Sequence, residues 1–130
     1  MIASQEELQS PETLESFCGS VLDISKNIQS VAVIDRMGKT MTKINRPGFA
    51  IQFPDHLKEL FYMFHVLEIS MGKDFDEYYG SINYHVSERT DIMLITFPLG
   101  ENVMLVMANK NTSPIRLARK IKSLCPHPIC

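Results

Sequence analysis

The sequence predicts an α/β sandwich: one five-stranded antiparallel sheet carrying three helices, in a chain of 130 residues that fits one domain. Three observations lead there. Two segments, near the ends of the chain, open with serine then proline and continue with apolar residues at helical spacing. A longer segment between them has the same spacing. Five short apolar or β-branched runs, separated by turn residues, fall two before that segment and three after it.

Ser10 is a good N-cap, Pro11 suits the first helical position and Glu12 the first turn, and Leu14, Phe17, Cys18, Val21 and Leu22 follow on one face. This helix is expected to close at Asn27 or Gln29. Ser30–Asp35 and Thr40–Ile44 read as a hairpin turning through Arg36-Met37-Gly38-Lys39, with Gly38 free to take a positive φ. Asn45-Arg46-Pro47-Gly48 ends it, and a loop runs to Pro54. Asp55 is the expected cap of a helix from His56 to about Tyr78, and Gly80 opens three strands. Ser81–Ser87 alternates with period two, whereas Asp91–Phe97 is almost continuously apolar, as a strand covered on both faces should be. Pro98 is where that strand should stop. Val103–Ala108 returns, and Ser113-Pro114 starts a last helix with Ile115, Ala118, Ile121 and Leu124 inward, ended by Pro126. The expected organisation is a flexible segment 1–9, a domain over 10–125 and a tail over 126–130.

Composition narrows the function classes. With 45% hydrophobic and 22% charged residues, a packed core is expected rather than disorder. Thirteen basic and 15 acidic residues leave a net charge of −2, which provides no strong field for nucleic acid. The longest apolar run, Ile92–Phe97, is far short of the roughly 20 residues that span a bilayer. The polar, acidic start Met1–Glu7 lacks the pattern of a secretory signal. Cys18, Cys125 and Cys130 are odd in number and show no disulfide framework in their spacing, so none is expected. A soluble cytoplasmic protein is expected.

No enzyme signature emerges. His56, His65, His85 and His127 form none of the paired spacings that hold a metal on one helical face. Cys125, His127 and Cys130 offer three soft ligands, one short of a structural zinc site, so a frayed tail is expected. The six glycines are scattered singly, which excludes a phosphate loop, and Gly-x-Ser-x-Gly is absent. Asp74, Asp76 and Glu77 could attract a cation but lack calcium-loop spacing; a solvated acidic helix end is the simpler reading. No catalytic residue, metal ligand or cofactor is assigned. Arg116, Arg119, Lys120 and Lys122 make the last helix basic. That either complements its dipole or offers a surface to an acidic partner or anionic lipid.

The second helix is the most informative. Leu57, Leu60, Phe61, Phe64, Leu67, Met71 and Phe75 form a stripe expected to cover the sheet. Tyr62, Val66 and Ile69 form another, expected on the far side, where a monomer's surface helix should be polar. With Ile82, Tyr84 and Val86 of the period-two strand, expected at a sheet edge, they are the candidate interface of a homodimer.

The element order, and Val31-Ala32-Val33-Ile34-Asp35-Arg36-Met37-Gly38-Lys39 as a strand ending in Asp and turning at Gly, resemble the roadblock (dynein light chain) family and its profilin-like relatives. The resemblance covers Thr13 to about Leu124. Lys73–Gly80 with Ile82-Asn83, and Thr96-Phe97-Pro98-Leu99, are similar to a group of small archaeal proteins of this type, a likeness that names no function. The resemblance implies the sheet order 2-1-5-4-3, with the second helix on one face and the terminal helices on the other. It also implies a non-enzymatic dimeric scaffold or regulator whose partner could be a small GTPase. The long loop Asn45–Pro54 departs from the better-known branch. The rival expectation is a profilin-like sensory module that binds a small ligand.

Overall fold

The computed structural model describes residues 11–50 and 53–125; the segment 1–9, Ser10 as a cap and the tail 126–130 lie outside the described residues. The elements are α1 (Pro11–Leu22), β1 (Ile28–Ile34), β2 (Thr40–Asn45), α2 (Asp55–Gly72), a 3-10 turn (Lys73–Phe75), α3 (Asp76–Tyr79), β3 (His85–Glu88), β4 (Met93–Leu99), β5 (Asn102–Ala108) and α4 (Pro114–Leu124). The five strands form one antiparallel sheet in the order β2-β1-β5-β4-β3. This is the order expected, with β3 at one edge and β2 at the other.

The sheet is buried on both faces because β1, β4 and β5 carry apolar side chains on both sides. Val31, Val33, Met93, Ile95, Phe97, Met104 and Val106 meet α1 and α4, where Leu14, Cys18, Val21, Leu117, Ala118 and Ile121 close the core. On the opposite face Ala32, Ile34, Leu94, Leu105 and Met107 meet α2.

Local chemistry sets the boundaries. α1 ends at Leu22, five residues before Asn27, because the guanidinium of Arg46 claims the chain that follows. It donates to the carbonyls of Leu22 (2.8 Å), Ser25 (3.1 Å) and Ile28 (2.7 Å), satisfying groups a longer helix would have used internally. In the first hairpin the Asp35 carboxylate accepts from the N–H groups of Met37 and Lys39, and Gly38 takes φ 83°. Ser113 caps α4 as expected, its hydroxyl oxygen accepting from the N–H of Arg116. Asp55 is not a cap but the first residue of α2, after Pro54. β3 has only four residues, and Ser81–Tyr84 leads up to it outside the ladder. Pro98 does not end β4; it lies beyond Thr96, the point where pairing with β3 stops. In α4 the inward residues are Leu117, Ala118 and Ile121, while Ile115 and Leu124 are exposed, contrary to expectation.

The largest correction concerns α2. Tyr62, Val66 and Ile69, expected on the outside, pack on the sheet at 5, 4 and 2% exposure. The stripe expected to cover the sheet faces away from it, apart from half-buried Phe61: Leu57, Leu60, Phe64, Leu67, Met71 and Phe75 are exposed. The flanks fix this rotation. A β-carbon at Gly38 would stand 3.3 Å from the sulfur of Met63, so the β1–β2 turn abuts the helix there. On the other flank Glu68 Oε2 lies 3.5 Å from His85 Nε2 on β3. With residues 63 and 68 directed sideways, 62, 66 and 69 point to the sheet and 57, 60, 64, 67 and 71 point away.

Candidate functional site: the outer face of α2 and the β3 edge

Leu57, Leu60, Phe64, Leu67 and Met71 succeed one another at intervals of three and four along α2, which keeps them on one line. Leu60 is 64% exposed and Met71 66%, values at home on lysines rather than on a helix of a globular chain. Phe75, Tyr78 and Tyr79 extend the apolar surface beyond the helix end. Taking roughly 180 Å² for each large apolar side chain, the six residues from Leu57 to Phe75 leave roughly 600 Å² outside. That is the upper end of what monomers show.

The stripe borders the β3 edge. Near the start of α2, Phe53, Leu57, Leu60, Phe61 and Phe64 form a groove of 410 Å³ with the Arg89 side chain, one residue past β3, at its wall. Phe61 and Phe64 both set their rings edge-on to His65, at 4.7 and 5.2 Å between centroids. Among the described residues β3 pairs only with β4, so its other side is a sheet edge. Ile82, Tyr84 and Val86, expected at the interface, are half-buried: Ile82 packs on the α2 layer, Tyr84 and Val86 on the α1/α4 layer.

Between stripe and edge sits a polar row. Glu68 reaches toward two histidines, His65 Nδ1 at 3.2 Å and His85 Nε2 at 3.5 Å. The first approach is not aligned as a hydrogen bond, and among the described residues both ring nitrogens of buried His65 are without a hydrogen-bond partner. Burial holds the His65 pKa below its ordinary value, against the opposing pull of Glu68, so the ring is neutral near pH 7. Sequence spacing could not reveal this row, since His85 lies 17 positions from Glu68 and meets it only through the fold. No group of three or more His, Cys, Asp or Glu among the described residues could hold a metal ion.

The remaining candidates lie elsewhere. Asp74 is exposed on the turn after α2 and Glu77 on α3, and Asp76 is half-buried with Oδ1 lacking a hydrogen-bond partner among the described residues. Arg116, Arg119 and Lys120 are exposed on α4 around a shallow depression shared with Ser113, Ile115 and Ser123; Lys122 is half-buried, which lowers its pKa. This basic face is on the opposite side of the sheet from the α2 stripe. A smaller hollow of 200 Å³ lies between the end of α2 and the β4–β5 turn, lined by Arg36, Ser70, Lys73, Glu101 and Asn102 among others. Cys18 is fully buried and burial pushes its thiol up to about 12, so it is a core residue. Among the described residues no helix is long and apolar enough to cross a membrane.

A single antiparallel sheet in the order β2-β1-β5-β4-β3, with one long helix on one face and the two terminal helices on the other, is the roadblock/profilin-like fold. Solved structures share it. A roadblock/LC7 domain from Streptomyces avermitilis matches with a TM-score of 0.63 at 10% identity, over 85% of this chain and 89% of that one. MglB in a tetrameric arrangement matches at 0.61 and 15%, over 89% of this chain and 90% of that one. Profilin II of Acanthamoeba castellanii matches at 0.58 and 11%, over 85% and 92%. At such identities the likeness establishes the fold. No family model and no curated protein sequence matches the chain.

Proposed function

We propose that the chain is a non-enzymatic homodimeric scaffold or regulator, joined through the outer face of α2 and the edge of β3. The observation that carries this reading is the apolar stripe from Leu57 to Met71 lying beside an unpaired strand edge. Either feature alone is a liability to a monomer, and one symmetric partner relieves both. Roughly 600 Å² from the stripe together with Phe75, plus the β3 edge, approaches the roughly 800 Å² per partner of a standard interface. The interface expected from sequence thus stays on α2 and β3 but moves to the opposite stripe of the helix. The self-association of the MglB structure with the same fold is in line with it.

Such a dimer leaves the basic face of Arg116, Arg119, Lys120 and Lys122 free, since α4 lies across the sheet from α2. The partner we assign to that face is the acidic surface of a small GTPase, the class implied by the roadblock resemblance. Purified chain immobilised and challenged with GTP-loaded and GDP-loaded small GTPases from the same cell tests this. Nucleotide-dependent capture that is lost on Arg116→Glu with Arg119→Glu is the expected result. Equal failure with both nucleotide states would remove the GTPase from the reading. The hollow beside Arg36 and Lys73 favours the sensory alternative. A metabolite that raises the melting temperature in a thermal-shift screen, without any GTPase captured, would put that alternative first.

A further inference from the structure

We propose that the hollow between the end of α2 and the β1–β2 and β4–β5 turns binds a small amino-dicarboxylic acid. Arg36 and Lys73 take its two carboxylates, and Glu101 takes its ammonium group. This deepens the sensory alternative above and rests on no part of the dimer reading.

The fold gathers these charges from distant parts of the chain. Ile34 of β1 pairs with Val103 of β5, so the turns beyond them, carrying Arg36 and Glu101, leave the end of the sheet side by side. The opposite wall comes from α2. Val66 and Ile69, then Ser70 and Lys73, share one side of it at three- and four-residue spacing. The first two are buried against the sheet, at 4 and 2% exposure, and with Val103, at 3%, they make an apolar base. As α2 clears the sheet the line changes to Ser70 and Lys73, which are exposed at the rim.

Each charged group alone would pass for an ordinary surface residue. Their convergence is different, because ion pairing does not already satisfy them. Among the described residues, ion pairs join Lys58 to Asp55 and Glu68 to two histidines, and none involves Arg36, Lys73 or Glu101. Two cations and one anion therefore face one space of 200 Å³, with the Ser70 hydroxyl and the Asn102 amide beside them. A ligand with two carboxylates and one ammonium complements that set group for group. A plain dicarboxylate would set negative charge against Glu101, and a neutral amino acid would leave one cation unused. The Arg36 guanidinium can hold a carboxylate at two points, and Lys73 acts as a point charge. The apolar base suits the short carbon chain between those groups. Pockets for drug-sized molecules run to roughly 300–1,000 Å³, so this smaller hollow limits its occupant to a small metabolite.

Titration of the isotopically labelled full chain with L-aspartate and, in parallel, L-glutamate, followed by NMR, tests the assignment. Saturable shifts at residues 36, 70–73 and 101–103 are expected from at least one of them, with a dissociation constant of about 1 mM or tighter. Succinate, which lacks the ammonium, and L-alanine, which lacks the second carboxylate, should each bind at least about fivefold more weakly. Arg36→Ala and Lys73→Ala should each weaken the amino-dicarboxylate about fivefold, the scale of one solvent-exposed charge pair. Both residues are exposed, so neither change should unfold the chain. Glu101→Gln should bring succinate level with the amino-dicarboxylate or ahead of it, whereas a purely structural role for Glu101 would weaken both alike. No saturation by about 10 mM of either probe, or equal affinity for succinate in the unaltered chain, overturns the inference. The sensory alternative fails separately, if no metabolite in the thermal-shift screen raises the melting temperature.

Discussion

Reversing the polarity of one side chain on each stripe of α2 separates the two possible rotations of the helix. Phe64 is 51% exposed and Val66 4%. With 150–250 Å² on an aromatic side chain, Phe64 leaves roughly 100 Å² outside in each copy. At about 25 cal/mol per Å² its cover in a dimer is worth about 2.5 kcal/mol per copy, or about 5 kcal/mol when both copies change. Phe64→Asp should therefore raise the dimer dissociation constant by roughly three orders of magnitude. Away from the interface a surface change of this kind alters monomer stability by only about 0.5 kcal/mol. Val66→Asp behaves differently. It forfeits about 2 kcal/mol of buried apolar surface and sets a carboxyl among Ala32, Leu94 and Leu105 without a partner, at a further cost of several kcal/mol. Against a total stability of about 5–15 kcal/mol this is enough to unfold many domains. Sedimentation velocity reads the first effect and urea denaturation followed by circular dichroism the second. A dimeric Phe64→Asp protein together with a stably folded Val66→Asp monomer would refute the rotation of α2 and every inference drawn from it.

Other consequences are as open to measurement. Leu94→Asp, in a strand covered on both faces, should unfold the domain, and a folded protein of wild-type urea midpoint would contradict the sheet. Arg46→Ala strips donors from the carbonyls of Leu22, Ser25 and Ile28 and should cost about 2–3 kcal/mol by urea titration; Arg46→Lys should recover only part of it. Because burial depresses the His65 pKa, the unfolded chain binds more protons than the folded one just below about pH 6.5. Stability should be full above that pH and fall as the pH drops below it; His65→Gln should flatten the urea midpoint between pH 7.5 and 5.5. Cys18, with its thiol pushed up to about 12, should resist alkylation at pH 8 in the folded protein and react once urea unfolds it, as peptide mapping would show.

Much of this molecule could be read from its residues. Turn residues and caps are local, so Gly38 at positive φ, the Ser113 cap and the five strands came through, and the element order with the roadblock resemblance supplied the sheet order. What escaped depends on contacts distant in sequence. Nothing near Leu22 announces that Arg46, 24 positions on, will end α1. Periodicity revealed two apolar stripes on α2 but ranked them by bulk. The rotation is instead set by Gly38 against Met63 and His85 beside Glu68, contacts no helical wheel contains. The same limit hid the groove, whose Arg89 comes from the end of β3, and the row of His65, Glu68 and His85. The basic character of α4 was plain, yet which of its apolar residues turned inward was not. Leu117 is buried, whereas Ile115 stays outside, next to Arg116.

The central claim is that the α2 stripe and the β3 edge are covered by a second copy of the chain. Sedimentation equilibrium of the wild-type protein at micromolar concentration tests it most directly. The account predicts a mass twice the 14.8 kDa of the chain, falling to 14.8 kDa for Phe64→Asp. A wild-type mass of 14.8 kDa under the same conditions would contradict it.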